Sequence, residues 1–331
     1  MSNNLYRIFI RVDANITIGR GHISRSLALA RMLKEQFEIV FISIENSHDY
    51  CLNIIHEFPH IFIAEEIDIE KYLTINDILV LDGYKFNELQ IKKLKTRVRN
   101  IAVIHDFGTV PTYADLIINQ TPGIVPEDYI GCINIRLCLG LDYCLVSPEL
   151  IELREKLVRG NNTNGILVCF GGADPLSLCE KFVNELLEQG FNHQIVAVGR
   201  LSKPLTEYSN VHHVQTIDPI GLAHLMIGSR VNLLSSSVVA LEAATLGCAI
   251  FAIWYTENQA ANYRGLTEMG LAEGGGYIGT NSEVTLSVKK LISLYHNSNS
   301  VEILRNRAFT KIDGQSNKRI LSAFNSMVNR E

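Results

Sequence analysis

Short apolar runs alternate with helical patterns along almost the whole of this 331-residue chain. Runs such as residues 39–44 contain few polar positions, which indicates strands covered on both faces, as in a parallel sheet. Between the runs, apolar residues recur at helical spacing, as Ile23, Leu27, Ala30 and Leu33 do. This alternation predicts an α/β fold of Rossmann-type βαβ units, in which a helix connects two parallel strands.

A polar segment at residues 159–165, rich in Gly and Asn, divides the alternation into two sets. The chain is also longer than the ~250–300 residues at which a single core stops growing. We therefore expect two Rossmann-like domains, residues 1–158 and 165–331, with a cleft between them and a helical extension after about residue 282. Ligands of such sheets bind beyond the carboxyl ends of the strands, so polar residues there are the candidate site residues.

In the first set, the predicted strands are residues 6–12, 38–44, 78–82, 101–104 and 115–118, and the predicted helices are residues 23–36, 49–58, 86–95 and 148–158. In the second set, the strands are residues 166–170, 194–198, 211–214, 230–234 and 249–254, and the helices are residues 176–189, 219–228, 238–246 and 259–269. Further helices are predicted at residues 283–295 and from residue 300 towards residue 331.

Composition and charge exclude several classes of partner. The formal net charge is −5 and no block is rich in Lys and Arg, so we expect no nucleic-acid partner. No stretch approaches the ~20 apolar residues of a membrane helix and no secretory signal opens the chain, which predicts a cytoplasmic protein that does not bind a membrane. The seven cysteines form no Cys-x-x-Cys pair, as is typical of reduced core thiols. The oligomeric state stays open, and a monomer is compatible with the sequence.

The most informative motif is Gly19-Arg-Gly21-His22, which follows the first strand and opens the first helix. Glycines let the backbone approach a ligand closely and a helix N-terminus attracts anions, so His22 is a candidate general base beside a bound anion. The alternative is a histidine that only caps the helix. Ser24 stands where a dinucleotide fingerprint needs its third glycine. Asp13 would orient the imidazole if the two touch, and is otherwise a turn residue.

Two further strand ends in the first half carry polar groups, Asp82-Gly-Tyr84 and His105-Asp106. Tyr84 is a candidate for lining the site with its hydroxyl, and the alternative is a buried packing tyrosine. His105 is interpreted as a loop histidine and not as a second base.

In the second half, Gly171 and Gly172 follow a strand, and Asp174 is the predicted N-cap of the next helix, with Pro175 at its first position. The glycines expose N–H groups where a phosphate or ribose could lie, or else serve a tight turn that needs positive φ.

Two more strand-to-helix junctions in the second half carry polar side chains. Ser236 and Ser237 offer hydroxyls and N–H groups to a diphosphate, and the alternative is a simple N-cap. Glu242 lies further along the same helix and can accept the hydroxyls of a ribose, or is a solvated charge. Asn258 and Gln259 carry amides for sugar or phosphate oxygens, or form a cap and a polar first turn.

Several other chemistries are not indicated. There is no Gly-x-x-x-x-Gly-Lys-Ser/Thr loop, His-Glu-x-x-His, Gly-x-Ser-x-Gly elbow or Asp-x-Asp pair. We therefore expect neither a metal site nor a cofactor. An anion would be held by amides, hydroxyls and helix dipoles.

In this order, the motifs resemble the UDP-2,4-diacetamido-2,4,6-trideoxy-β-L-altropyranose hydrolases of pseudaminic acid biosynthesis, a PseG/SpsG-like family similar to the MurG-type glycosyltransferases of GT-B fold. The segment from Arg11 to Arg25, with Asp13, Gly19, Gly21 and His22, carries the resemblance, together with the second-half motifs. The resemblance implies that His22 is the catalytic base and that Asp13, Gly19, Gly21 and Tyr84 bind the sugar. The residues implied for UDP binding are Gly171, Gly172, Ser236, Ser237, Glu242, Asn258 and Gln259.

The implied reaction is hydrolysis of a UDP-linked amino-deoxy sugar at its anomeric carbon, with inversion and release of UDP. Three alternatives stay open. A GT-B transferase would use the same base on an acceptor hydroxyl, a non-catalytic sensor would bind the nucleotide sugar unchanged, and a hydrolysing 2-epimerase would need acidic groups near C2. Hydrolases for other diamino sugars and spore-coat polysaccharide proteins share the N-terminal signature.

Overall fold

The computed structural model describes residues 6–15, 20–48, 51, 55–106, 110–156, 164–172, 174, 176–202 and 208–329. The chain forms two compact units, one of Met1–Pro148 with Gln315–Glu331, and one of Glu149–Gly314. Each unit is built around one parallel sheet. Within the described ranges, no helix combines the length and the apolar character needed to cross a membrane.

Both sheets are doubly wound, because the chain builds one side of a central strand and then the other. The first sheet has the order β3-β2-β1-β4-β5-β6-β7 and consists of β1 (Tyr6–Val12), β2 (Phe37–Ile44), β3 (His60–Ile63), β4 (Ile78–Asp82), β5 (Asn100–Ile104), β6 (Leu116–Asn119) and β7 (Arg136–Leu139). The second has the order β10-β9-β8-β11-β12-β13 and consists of β8 (Ile166–Cys169), β9 (Ile195–Val198), β10 (Val211–Val214), β11 (Val231–Ser235), β12 (Ile250–Trp254) and β13 (Ala272–Tyr277).

The α-helices of the described residues are α1 (Gly21–Leu33), α2 (Glu88–Lys95), α3 (Pro148–Lys156), α4 (Leu178–Glu188), α5 (Pro219–Gly228), α6 (Val238–Thr245), α7 (Glu257–Glu268), α8 (Asn281–His296), α9 (Ser298–Lys311) and α10 (Ser316–Val328). Local sequence sets several of their starts. The Asn87 side-chain oxygen accepts a hydrogen bond from the Gln90 amide at 3.0 Å, and the Gln90 side-chain oxygen accepts one from the Asn87 amide, which forms a capping box at α2. Asp218 caps α5, whose first residue is Pro219.

The first sheet buries a core on each face, because successive strand residues point to opposite sides. On one face, Ile8 lies in a core with Leu29 of α1 and Phe324 of α10, all three fully buried. On the other face, Phe9 lies in a core with Ile91 of α2. In the second unit, the fully buried Phe182 of α4 packs in a core with Phe251 of β12.

The predicted strands and most predicted helices are confirmed to within three residues at each end. The predicted helix 49–58 is wrong for residues 55–58, which are not helical, and residues 49–50 and 52–54 lie outside the described residues. The long helix predicted from residue 300 is two helices, α9 and α10. They are separated at Gly314, whose φ of +73° is a conformation that favours glycine.

The grouping of the chain into units differs from the expected ranges 1–158 and 165–331. Helix α10 belongs to the first unit, because its apolar residues, among them Phe324, fill the core above β1. Helix α3 belongs to the second unit, where the buried Arg154 donates to the carbonyl oxygen of Thr245 at 2.7 Å.

Candidate active site

Strand register gathers three polar loops at one edge of the first sheet. Val12 of β1 is paired with Asp82 of β4, and Asp82 with Ile104 of β5. The residues that follow these strands therefore leave the sheet side by side, at its carboxyl edge. Gly83 turns the chain after β4 with a φ of +152°, outside the usual range of other residues, and is followed by Tyr84.

Helix α1 presents one polar face to Asp82. Residues three and four apart share a helix face, so His22, Arg25 and Ser26 point the same way. His22 Nδ1 lies 2.6 Å from Asp82 Oδ1, and Ser26 Oγ donates to Asp82 Oδ2 at 2.8 Å. Arg25 donates to both carboxylate oxygens, the shortest contact being 2.6 Å from Nη2. Asp82 is only 2% exposed, so these donors stand in for water around its charge.

The hydrogen-bond partners of the His22 ring determine which of its nitrogens carries the proton. Burial acts to raise the pKa of Asp82, but Arg25 and His22 outweigh it and hold that pKa well below its usual range. Asp82 is therefore ionised at neutral pH and only accepts hydrogen bonds. The 2.6 Å contact then requires a proton on His22 Nδ1, which in a neutral ring leaves the lone pair on Nε2. Arg25 Nη2 lies 3.0 Å from the same Nδ1, and its hydrogen bond goes to Asp82 because two donors cannot pair.

A second carboxylate extends this buried group of charges. Arg25 Nη1 donates to Asp106 Oδ1 at 2.6 Å, and the Tyr84 hydroxyl donates to Asp106 Oδ2 at 2.9 Å. Burial raises the pKa of Asp106, but the Arg25 charge outweighs it and the pKa is lowered overall. With neutral His22, the group of Arg25, Asp82 and Asp106 carries a net charge of −1.

Asp82, and not Asp13, orients the His22 imidazole. Asp13 binds Arg11, with the shortest contact 2.6 Å, and accepts from Lys85 at 2.6 Å and from the Ile44 amide at 2.9 Å. The idea that Asp13 fixes the tautomer is therefore wrong. The physical reason is strand alternation, because Arg11 lies on the face opposite α1, and Asp13, two residues on, returns to pair with it. Arg11 and Lys85 lower the pKa of Asp13 to about 2 against the effect of burial.

A pocket of about 220 Å³ opens beside the His22 ring. Tyr84 lies edge-on to that ring, with 4.7 Å between the ring centroids, and is half exposed, so it is not a packing tyrosine. Gly21 is exposed at the start of α1, and Gly19 lies outside the described residues. The pocket is lined by Asp13, His22, Asp82, Gly83, Tyr84 and Lys85. His105 lies apart from it and shares a 2.8 Å hydrogen bond with the Tyr129 hydroxyl.

In the second unit, three neighbouring strands bring the predicted nucleotide residues to one edge. The order β8-β11-β12 places the strand-to-helix junctions next to one another. The Phe170 carbonyl accepts hydrogen bonds from Ser235 Oγ at 3.4 Å and from the Tyr255 hydroxyl at 3.2 Å, which ties the three junctions together. Backbone amides and hydroxyls at helix N-termini therefore come together at this edge, an arrangement that suits an anion.

The glycine junction after β8 is partly as predicted. Gly171 has a φ of +84°, so the chain needs glycine there, and Gly172 is exposed. Asp174 is not the N-cap residue, because α4 begins only at Leu178. Its two carboxylate oxygens accept from the amides of Leu178 and Cys179, each at 2.8 Å. The carboxylate thus caps the helix from four residues away, and Pro175 lies outside the described residues.

The serines after β11 differ in what they offer a ligand. Ser236 is fully buried, and its hydroxyl donates to the Ile253 carbonyl at 2.9 Å, so this side chain joins two strands. Ser237 is the N-cap residue of α6 without a capping hydrogen bond, and its hydroxyl lies 3.0 Å from that of Ser235. The Ala240 amide donates to the Ser237 carbonyl at 3.0 Å, whereas the amides of Val238 and Val239 precede the first hydrogen bond within the helix. An anion at this junction would therefore meet Ser237 and these amides.

Glu242 is half-buried on α6, and no described cation pairs with it. Burial raises the pKa of Glu242 to about 7. Asn258 is exposed in the first turn of α7. Gln259 is buried, and its side-chain oxygen accepts from the Tyr255 amide at 3.1 Å, so its carbonyl group is occupied within the fold.

Several residues of the first pocket were not assigned a role from the sequence. In the sequence, Arg25 is only a polar position at helical spacing from His22. Asp82 is only a charged residue at the end of an apolar strand. Lys85 and Glu66 could not be found from the sequence, because the contacts of Lys85 with Asp13 and of Glu66 with Arg11 join segments far apart in the chain. Among the described residues, no group of three or more His, Cys, Asp and Glu side chains is placed to hold a metal ion.

No known protein-family model matches the chain. The chain is 25% identical to an uncharacterized protein of Methanocaldococcus jannaschii over 78% of its own length, and spans 57% of that relative. It is 25% identical to UDP-2,4-diacetamido-2,4,6-trideoxy-β-L-altropyranose hydrolase of Campylobacter jejuni, covering 80% of this chain and 97% of the hydrolase. The spore coat polysaccharide biosynthesis protein SpsG of Bacillus subtilis is also 25% identical, with 86% of this chain and 89% of SpsG covered.

Solved structures resemble the chain over nearly its full length. LpCGTa in complex with UDP has a TM-score of 0.68 at 12% identity, covering 99% of this chain and 100% of that one. MurG of Acinetobacter baumannii has a TM-score of 0.66 at 13% identity, with 97% and 99% covered. A putative UDP-N-acetylglucosamine 2-epimerase of Listeria monocytogenes has a TM-score of 0.63 at 14% identity, with 99% and 98% covered. The chain therefore has the fold predicted from its sequence, two parallel-sheet α/β domains of the GT-B type.

Proposed function

We propose that this protein is a UDP-sugar-processing enzyme of the PseG/SpsG-like group, and specifically a nucleotide-sugar hydrolase. Its substrate would be a UDP-linked 2,4-diacetamido-2,4,6-trideoxy sugar, cleaved with water at the anomeric carbon to release UDP in nonulosonate biosynthesis. The observation that carries the proposal is the His22 ring at a pocket, with Nδ1 held 2.6 Å from the buried Asp82. The similarity to the Campylobacter jejuni hydrolase over 80% of the chain supports the substrate class.

In this proposal, His22 Nε2 takes a proton from a water molecule that attacks the anomeric carbon while UDP leaves from the opposite face. A single displacement inverts the configuration at that carbon. Asp82 keeps Nδ1 protonated, so Nε2 is free to act as the base, and the net −1 charge of Arg25, Asp82 and Asp106 favours the imidazolium that results. General-base assistance accelerates such a reaction roughly 10²–10⁴-fold. Stabilisation of the leaving diphosphate would accelerate it further.

We assign the sugar to the pocket of the first unit and UDP to the carboxyl edge of the second. The second unit offers Ser237 and the first-turn amides of α6 to the diphosphate, and Glu242 to the ribose hydroxyls. Gly171, Gly172 and Asn258 lie at the same edge. Ser236 and Gln259, whose side-chain oxygens bond within the fold, are assigned to shaping the site.

The test is UDP release from the diacetamido substrate by His22→Asn. We expect release to fall at least about a hundredfold, within the general-base range, while the Kd for UDP is unchanged. His105→Asn is the matched control, since this histidine bonds to Tyr129 away from the pocket, and its turnover should stay within a few-fold of wild type. Near-normal release by His22→Asn would overturn the mechanism.

The same assay separates the alternatives. A strict transferase would release little UDP from the nucleotide sugar alone, and a sensor would bind it without forming any product. NMR of the released sugar distinguishes hydrolysis with inversion from epimerisation at C2. Among these, the fixed Nε2 lone pair of His22 favours a reaction that removes a proton from an attacking hydroxyl or water.

A further inference from the structure

Four charged side chains, Arg11, Asp13, Glu66 and Lys85, form a compact group, and two of them, Asp13 and Lys85, line the pocket. Arg11 is fully buried at the end of β1 and binds Asp13 and Glu66, each through two hydrogen bonds of 2.6–3.0 Å. Lys85 Nζ lies 2.6 Å from Asp13 Oδ2 and 2.7 Å from Glu66 Oε2. The group therefore runs from a buried cation, through two carboxylates, to an ammonium at the pocket.

The acceptors of this group are almost all occupied. A carboxylate offers about four lone-pair positions. Asp13 receives hydrogen bonds from Arg11, from Lys85 and from the Ile44 amide, which use all four. Glu66 receives two from Arg11 and one from Lys85. The group presents the pocket with a donor, because little acceptor capacity is left.

Lys85 supplies that donor. An ammonium has three N–H groups, and the two carboxylates take two of them. Its side chain is 40% exposed and lines the pocket beside His22, where ordering a long side chain costs conformational entropy. Arg11 fixes both carboxylates, so the ammonium is held in one place with one N–H left for a ligand.

The charges around the pocket indicate a neutral acceptor as the ligand. With neutral His22 the surrounding charged groups sum to −1, so a diphosphate is disfavoured there. A sugar hydroxyl would need an acceptor as well as a donor, whereas a carbonyl oxygen only accepts. A protonated free amine has no lone pair and cannot accept a hydrogen bond from the ammonium. The charged groups counted are Arg11, Arg25, Lys85, Asp13, Glu66, Asp82 and Asp106.

We propose that Lys85 recognises the carbonyl oxygen of an N-acyl group on the sugar, and thereby selects acylated amino sugars over the corresponding free amines. The inference rests on the proposed function in one respect, the placing of the sugar in this pocket. Lys85 acts on binding and not on the proton transfer of His22.

The experiment measures binding of three UDP-sugars by calorimetry in a His22→Asn background, which prevents turnover. The ligands are the diacetamido substrate and its two analogues with one acetyl group removed, and UDP serves as the reference. We expect Lys85→Met to raise the Kd of the diacetamido sugar about 10- to 100-fold, which corresponds to the loss of a hydrogen bond to a charged group. For the analogue that lacks the recognised acetyl group, and for UDP, the change should be below threefold.

Lys71→Met is the matched control, because Lys71 forms an exposed ion pair with Asp68 outside the pocket, and it should bind all four ligands normally. An equal loss for all three sugars, or no loss for any, would overturn the role of Lys85. If wild-type protein hydrolyses none of the sugars but Lys85→Met still loses selectivity, the proposed function fails and the inference stands. If wild-type protein hydrolyses the diacetamido sugar but Lys85→Met weakens all three sugars equally, the proposed function stands and the inference fails.

Discussion

Asp82 sets the hydrogen-bonding state of the His22 ring because an ionised carboxylate accepts hydrogen bonds and does not donate them. The contact arises from strand parity, which turns Asp82 towards α1 and Asp13 towards the opposite face. Two aspartates at the carboxyl ends of neighbouring strands therefore have different partners. One orients the base, and the other anchors Arg11 and Lys85.

We predict that Asp82→Asn lowers the rate of UDP release by about 10²–10⁴-fold, because the amide can donate to Nδ1 and so place the ring proton on Nε2. The Kd for UDP should be unchanged. Asp77→Asn is the control, since this aspartate forms a part-buried ion pair with Arg7 just before the same strand, and should cost stability but not turnover. Asp82→Asn with full activity would show that the ring needs no orienting carboxylate.

Glu242 makes the stability of the second unit depend on pH. Its pKa is about 7 in the folded chain against an ordinary 4.5, so the folded state keeps a proton that the unfolded state has released. The free energy of unfolding therefore falls as pH rises from about 4.5 to 7, and this penalty is fully present above pH 7. We predict that Glu242→Gln removes this fall and is more stable than wild type at pH 8.

The measurement is urea unfolding at pH 5 and pH 8, followed by fluorescence of Trp254, the single tryptophan, which lies in β12 of the second unit. The difference between variant and wild type should grow by about 1–3 kcal/mol from pH 5 to pH 8. A difference that is the same at both pH values would mean that Glu242 has an ordinary pKa.

At the scale of elements, the sequence predicted the strands that are buried and missed three of the four strands at sheet edges. The apolar runs of β1, β4 and β12 predict them directly, since both faces are covered. The missed strands β3, β7 and β13 each lie at the edge of a sheet. Edge strands are less buried, and β13 contains three consecutive glycines, so neither alternation nor an apolar run marks it.

Motifs within one loop predicted part of the candidate site. The position of His22 at a strand-to-helix junction follows from local glycines and helix periodicity. Its partner Asp82 depends on the pairing of β1 with β4, which no local pattern encodes. Likewise, the sequence shows that Ser236 lies at a strand-to-helix junction. Its burial and its hydrogen bond to Ile253 depend on the neighbouring strand β12.

At the scale of the whole molecule, helical periodicity predicted α10 but not the sheet that it covers. An amphipathic pattern shows that a helix has an apolar face, but not which part of the protein that face contacts. The buried Phe324 places that face in the core of the first unit, with Ile8 and Leu29. The first unit is thus assembled from two distant stretches of chain, and the second is inserted between them.

We predict that Phe324→Ala destabilises the first unit by about 3–5 kcal/mol, the usual range for a buried aromatic residue. Hydrogen exchange should accelerate at the amides of β1 and α1, while the Trp254 unfolding transition of the second unit keeps its midpoint. Phe182→Ala, equally buried in the core of the second unit, should give the opposite pattern. Loss of both transitions with either variant would show that the two units unfold as one.

Because α10 is translated after the whole second unit, the first unit can complete its core only late in protein synthesis. The stretch 149–314 has all of its own strands and helices once it has left the ribosome, although it is translated after most of the first unit. Until residues 316–328 emerge, α1 covers one face of the first sheet without the apolar residues of α10. A chain that stops before residue 316 therefore contains every strand of both units but lacks Phe324 in the core of the first, so we expect its first unit to be the less stable of the two.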